Sequence, residues 1–315
     1  MRLTRRALVT GVLALTMAHP ARAGNVPTVR HLDGPAGVRT LETGAHPDTH
    51  FAIASVGKTM TAVAVLRRVA GGDLRLDAPV TRWIGPDLAE GFDGLPGITL
   101  RHLLTMRSGL PDYYTDDYLD DVLDNPALQT PQTALSYAHG DALLFGPGTR
   151  FDYCNTNYVL LGLILEAEAG LSYAQVMQRE VFDHARMTDS FVFGSRPLPA
   201  SFADVPRAVR AYYQNAGFGD GGVIATAQDV ARFYHALFRD QSLLPPAMLS
   251  VMTTDAGGAG YGMGIELDGP ILGHSGGDLG FSSDVRLHRP SGTIAVMLVA
   301  EEEADTFWTD DQMPD

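Results

Sequence analysis

The run Ile294-Ala-Val-Met-Leu-Val299 is apolar at every position. Successive residues of a strand point to opposite faces of its sheet, so a strand with this pattern is covered on both faces and lies centrally. Its neighbours in the last quarter of the chain are also strand-like. Tyr261–Leu267, Ile271–Gly273, Ser282–His288 and Thr293–Ala300 are short and are separated by turns such as Asp268-Gly269-Pro270 and Arg289-Pro290-Ser291-Gly292. They predict consecutive antiparallel strands. Near the other end, Val26–Leu32 and Val38–Thr43 predict two more, around Asp33-Gly34-Pro35.

Between these ends the signals are helical. From Ser55 to Ala70 the chain is nearly all apolar and stops at Gly71-Gly72, which predicts a helix buried almost all round. Thr99 caps Leu100–Met106, Asn157 begins Tyr158–Ala169 before Gly170, Ser172 starts Tyr173–Phe182, and Thr226 starts Ala227–Phe238. Strands at both ends with helices between predict an α+β fold. One antiparallel β-sheet is formed from both chain ends, is flanked by helices, and carries a mostly helical insertion. The expected organisation is one domain over residues 24–315, with an α/β part at about 24–72 and 240–315 and a helical part at about 73–239.

The first 23 residues read as an export signal. Arg2, Arg5 and Arg6 form a basic region, Ala7 to Ala18 a modest apolar one, and Ala21-Arg22-Ala23 a small-x-small cleavage site. Thr4-Arg5-Arg6 is also similar to a twin-arginine signal. We expect a periplasmic or secreted protein, cleaved near Ala23. These residues hold four Arg and no acid, so their removal takes the formal charge from -14 to -18. So acidic a chain is a poor partner for nucleic acid or an anionic membrane surface. No later segment is long and apolar enough for a stable membrane span. Cys154 is the only cysteine, so no intramolecular disulfide forms, and it reads as a small buried filler. His46 and His50 flank Pro47 in a turn-rich stretch and read as loop residues, leaving no metal-ligand spacing and no cofactor expected.

Lys58 is the only lysine among 23 cationic residues, and it lies three residues after Ser55. Arginine stays protonated at any working pH, whereas a desolvated lysine can become a neutral amine. Three residues is about one helical turn. A helix starting at Ser55 therefore brings a serine nucleophile beside a lysine base.

Two further groups, Tyr153-Cys154-Asn155 and His274-Ser275-Gly276, complete a pattern. With Ser55/Lys58 the chain resembles the penicillin-recognising serine hydrolases: class C-type β-lactamases, D-alanyl-D-alanine carboxypeptidases and related esterases. The surroundings match too, including Ser108-Gly-Leu-Pro111, Tyr153-Cys-Asn-Thr-Asn-Tyr158 and Gly221-Gly-Val-Ile-Ala-Thr226. The resemblance implies that Ser55 attacks a carbonyl, that Lys58 takes its proton, and that Tyr153 passes that proton to the leaving group. Burial would bring the phenol and amine pKa values toward each other. It also implies that Asn155 bonds Lys58 and substrate, that His274, Ser275 and Gly276 line the substrate strand, and that the Ser55 and Gly277 N–H groups form the oxyanion hole.

The expected partner is a small-molecule or peptide substrate: an ester, a D-amino-acid peptide or a β-lactam. Carboxypeptidases of this family carry an arginine near the substrate carboxylate on the strand before His-Ser-Gly. Asp255–Leu272 contains no Arg or Lys, which favours an esterase or amidase for uncharged ends. The short segments outside the end strands imply a thinly covered sheet face, on which a partner would sit. Two rival readings stand. One is a non-catalytic penicillin- or peptide-binding relative. The other takes Gly273-His274-Ser275-Gly276-Gly277 as the G-x-S-x-G elbow of an α/β-hydrolase, with Ser275 as nucleophile.

Overall fold

The computed structural model describes residues 26–306 except 90, 93 and 141, so the export signal and cleavage site expected near Ala23 lie outside the described residues. Both chain ends contribute to one six-stranded sheet, ordered β2-β1-β9-β8-β7-β6. Its members are β1 Thr28–Gly34, β2 Gly37–Thr43, β6 Glu266–Asp268, β7 Ile271–Asp278, β8 Phe281–His288 and β9 Thr293–Val299. Every neighbouring pair is antiparallel. Each residue of β9 is buried, and the strand lies between β1 and β8, as its two-faced apolar pattern requires.

Register sorts the two faces. Val29, His31, Val285, Leu287, Ile294, Val296 and Leu298 share one face with His274 and Gly276. Helix Ala227–Tyr234 packs here, started by Thr226, whose hydroxyl accepts from Asp229 N. It continues as a π-turn over His235–Arg239, and His235 Nε2 lies 2.6 Å from Asp33 Oδ2. The opposite face carries Ala295 and Met297 together with the charged Asp284, Arg286 and Glu266.

One predicted strand is much shorter than its sequence pattern. Of Tyr261–Leu267 only Glu266 onward pairs with β7, and Tyr261 forms an isolated bridge back to Glu266. Gly264 takes a left-handed φ of 71°, its carbonyl accepts from Thr59 Oγ1 at 2.7 Å, and its N–H donates to Leu104 O at 3.2 Å. The segment is thus pinned against the helices rather than laid along the sheet.

A second sheet, ordered β3-β5-β4, is absent from the sequence reading. It comprises β3 Phe51–Ala52, β4 Phe191–Val192 and β5 Val223–Ala225, too short to show alternation. It matters because β3 leads directly into a 3-10 turn, Ala54–Val56, and then into α1, Gly57–Gly71. Gly72 ends α1 at φ 88°, the left-handed stop that the Gly-Gly pair predicted.

The helix expected over Tyr158–Ala169 begins two residues earlier and spans Thr156–Ala169, closed by Gly170. Asn157 is not its cap. Its Oδ1 accepts from Ser108 Oγ at 2.6 Å, so it ties this helix to the Ser108 loop instead. Among the described residues no single helix is long and apolar enough to cross a membrane.

Candidate active site

Ser55 sits in the single 3-10 turn between β3 and α1, and Lys58 follows in the first turn of α1. Ala54 holds a left-handed φ of 46°, a conformation that costs a non-glycine residue about 1–2 kcal/mol. The neighbouring loop holds it there. A Cβ built on Gly221 would lie 3.1 Å from the Ala54 carbonyl carbon, so a side chain there would push the Ala54 backbone away by a few tenths of an ångström. The turn aims the Ser55 side chain back toward α1.

Lys58 is 1 % exposed. Its Nζ lies 2.8 Å from Ser55 Oγ, 2.8 Å from Asn155 Oδ1 and 2.6 Å from the Asp220 carbonyl oxygen. Burial pushes its pKa below the ordinary lysine value, while Asp220, Asp112 and Asp278 pull the other way. A neutral amine fits these three neighbours. It donates its two hydrogens to Asn155 Oδ1 and the Asp220 carbonyl, which leaves the lone pair facing the Ser55 hydroxyl.

Asn155 is itself oriented. Asp112 Oδ2 accepts from its Nδ2 at 2.9 Å and from its backbone N–H at 3.1 Å, fixing which amide atom faces the lysine. Sequence reading passed over Asp112 and Asp220. Both stand beside quoted motifs, Ser108–Pro111 and Gly221–Thr226, and that adjacency was the available signal.

Tyr153 closes the other side, its ring centroid 5.1 Å from Lys58 Nζ. Burial pushes its phenol well above the ordinary value, and a hydrogen bond with Ser55 only partly opposes this. The expectation that burial brings phenol and amine toward each other is therefore corrected. Burial disfavours both charged forms, so it lowers the ammonium and raises the phenol. Around neutral pH Tyr153 is a proton donor, not a phenolate.

The strand β7 passes in front of this group. A Cβ on Gly276 would meet Ser283 Oγ at 2.5 Å, Ile53 O at 2.8 Å and Ser55 N at 3.0 Å, so glycine lets the strand reach the serine. The Ser275 N–H points to the strand's open edge, where it donates to Glu266 Oε1. Peptide groups alternate sides along a strand, so the Gly277 N–H points to the same edge.

His274 does not offer a free nitrogen. It is 1 % exposed, with Nδ1 2.6 Å from the Ser275 carbonyl and Nε2 3.0 Å from Tyr261 Oη. Nδ1–H donates to the carbonyl and Nε2 accepts from the tyrosine. Burial lowers its pKa to about 4, against a pull upward from Glu266.

Ser275 points away from the serine–lysine group and donates to Glu266 Oε1 at 2.8 Å. A nucleophile elbow needs a sharp strand-to-helix turn, whereas Ile271–Asp278 is one continuous strand. Cys154 is buried, with Sγ against the Leu110 and Pro111 carbonyls, and burial pushes its thiol pKa well up. It is packing, not a nucleophile.

The Beta-lactamase family model matches residues 21–312. The chain is 28% identical over 267 residues to Penicillin-binding protein 4* of Bacillus subtilis strain 168, covering 74% of this chain and 56% of that protein. It is 30% identical over 251 residues to Esterase EstB of Burkholderia gladioli, covering 68% of this chain and 63% of the esterase. It thus spans less than two thirds of the length of either curated relative. The crystal structure of a penicillin-binding protein from Bacillus halodurans aligns with a TM-score of 0.77 at 26% identity, over 88% of this chain and 91% of that one.

Proposed function

The chain belongs to the Beta-lactamase family, and on that premise we propose that it is a serine hydrolase that cleaves ester or amide bonds through an acyl-enzyme. The observation that carries this reading is the buried Lys58 Nζ at 2.8 Å from Ser55 Oγ. The name of one relative, an esterase, supports an ester substrate, and that of another, a penicillin-binding protein, supports recognition of a β-lactam.

In the proposed reaction Ser55 Oγ attacks the substrate carbonyl as Lys58 takes its proton. The Ser55 and Gly277 N–H groups receive the developing oxyanion. Tyr153, a neutral phenol between the two, donates to the leaving oxygen or nitrogen and regains a proton from Lys58. Water then repeats the sequence on the acyl-enzyme. Asn155 holds the lysine between protonation states, and Asp112 holds Asn155. A purely binding relative would have no use for a lysine buried beside a serine where burial disfavours its charged form.

Incubation with a short activated ester, followed by peptide mass spectrometry, tests the reading. An acyl adduct on the Ser55 peptide, absent in Ser55→Ala, is expected. An adduct on Ser275, or full turnover by Ser55→Ala, would overturn it. We also propose export, on the basic and apolar pattern of residues 1–23. Sequencing the mature N-terminus from a cell fraction tests that, and a cytoplasmic chain starting at Met1 would refute it.

A further inference from the structure

The edge of β7 that a bound substrate would lie along is already occupied at one point, and by a carboxylate. Strand β6 pairs with β7 only from Ile271 to Gly273 and begins at Glu266. Beyond Gly273 no described strand covers this edge. The Glu266 side chain instead reaches forward along it. Its Oε1 accepts from both donors of Ser275, N–H at 3.1 Å and Oγ–H at 2.8 Å.

The other oxygen meets an arginine. Glu266 Oε2 lies 2.6 Å from Arg286 NH1, and the same guanidinium places NH2 2.6 Å from Asp284 Oδ1. A cation absent from Asp255–Leu272 is present on β8, where Arg286 stands opposite Gly273, but two carboxylates of the chain itself neutralise it. Burial opposes ionisation of Glu266, yet the nearby cations and the Ser275 N–H outweigh it and bring the carboxyl to about 2. The imidazole of His274, with a pKa of about 4, is neutral at working pH. There Arg286 and the Ser275 donors maintain the anion.

A hydroxyl, an N–H and a guanidinium around one carboxylate are what a site for a substrate carboxylate would contain. Here the carboxylate comes from the protein. We propose that Glu266 is a specificity-determining residue: it fills the carboxylate position beside Ser275 and turns the site toward esters and amides whose leaving end is neutral or cationic. An incoming carboxylate must displace a bound anion or face it at close range, and both are unfavourable. A neutral end meets no such penalty. The proposal rests on the reading of Ser55 as nucleophile.

The test uses a matched pair, an N-acylglycyl ester of lactic acid with its carboxylate free and the same compound as its methyl ester. The wild type should favour the methyl ester in kcat/KM. Glu266→Ala frees both Ser275 donors and one side of Arg286. It should move the ratio toward the free acid by about tenfold or more, the size of one hydrogen bond to a charged group. Glu266→Gln keeps the shape and one acceptor and should move it less, in the same direction. A wild type that prefers the free acid would overturn the proposal. So would an Ala variant that turns over the methyl ester with an unchanged ratio. If both variants lose the neutral ester as well, Glu266 holds the strand rather than selecting substrate, and the proposal also fails. Failure of the wild type to cleave the methyl ester at all, with no adduct on Ser55, would instead sink the hydrolase reading.

Discussion

The backbone carbonyl of Asp220 accepts from Lys58 Nζ at 2.6 Å, so a loop remote in sequence sets where the lysine's lone pair points. The same loop packs Gly221 against Ala54, which holds Ser55 in its turn. One segment thus positions both members of the pair.

Replacing Gly221 should therefore impair chemistry before it impairs folding. The Cβ of Gly221→Ala would press on the Ala54 backbone, which cannot give way as a side-chain tip can. Displacement of reacting groups by about 1 Å can cost on the order of 100-fold, and a shift of a few tenths of an ångström a correspondingly smaller factor. We expect kcat for an activated ester to fall by about threefold to tenfold, with the far-ultraviolet circular dichroism unchanged. Wild-type kcat in this variant would show that the close approach is incidental.

Lys58→Arg should be almost as inactive as Lys58→Ala. General-base catalysis contributes typically ~10²–10⁴-fold, and a guanidinium cannot deprotonate. Ester turnover by both variants, read beside their melting curves, checks this. Substantial activity in the arginine variant would mean that only positive charge is needed.

Because burial lowers Lys58 and raises Tyr153, the rising limb of the pH–rate profile should belong to the lysine and lie below the ordinary lysine range. Tyr153→Phe should lower kcat without moving that limb, since the phenol stays protonated across it. A limb that shifts by a full pH unit in the phenylalanine variant would assign the titration to the tyrosine.

His274 predicts an acid weakness. Its folded pKa of about 4 lies below the unfolded value of 6.5, so the unfolded chain binds the extra proton between them. The stability it contributes is fully present above pH 6.5 and is lost as pH falls toward 4. Asp278 works in reverse. Burial raises it to about 6, so it recovers some stability as pH falls through that value. The comparison of wild type with His274→Gln isolates the first effect. Between pH 7 and 4.5 the variant should lose about 2–3 kcal/mol less in denaturant unfolding. Equal losses would mean that the imidazole is not held neutral.

Much of the framework was legible in the chain because it follows from local pattern. A strand apolar on both faces must be central, and Ile294–Val299 is. A lone lysine one turn after a serine must stand beside it if a helix starts there, and Lys58 does. Caps such as Thr99 and Thr226 and stops such as Gly72 act within one turn, so sequence order carries them.

What the chain did not reveal depends on approach between distant segments. Burial sets the titration of Tyr153 and His274, and burial is a property of everything packed around them, not of their neighbours in sequence. The β3-β5-β4 sheet has strands too short for a period, so it exists only through pairing. Asp112 and Asp220 act through one oriented carboxylate and one backbone carbonyl, and no residue type announces either role. Ser275 and His274 read as substrate contacts from sequence order alone. Register brought Glu266 beside Ser275 and packing brought Tyr261 to His274, and those contacts occupy the groups that order had left free. The serine–lysine pair was thus determined by spacing along the chain, whereas tertiary packing decided which protons move there and what the site has room to bind.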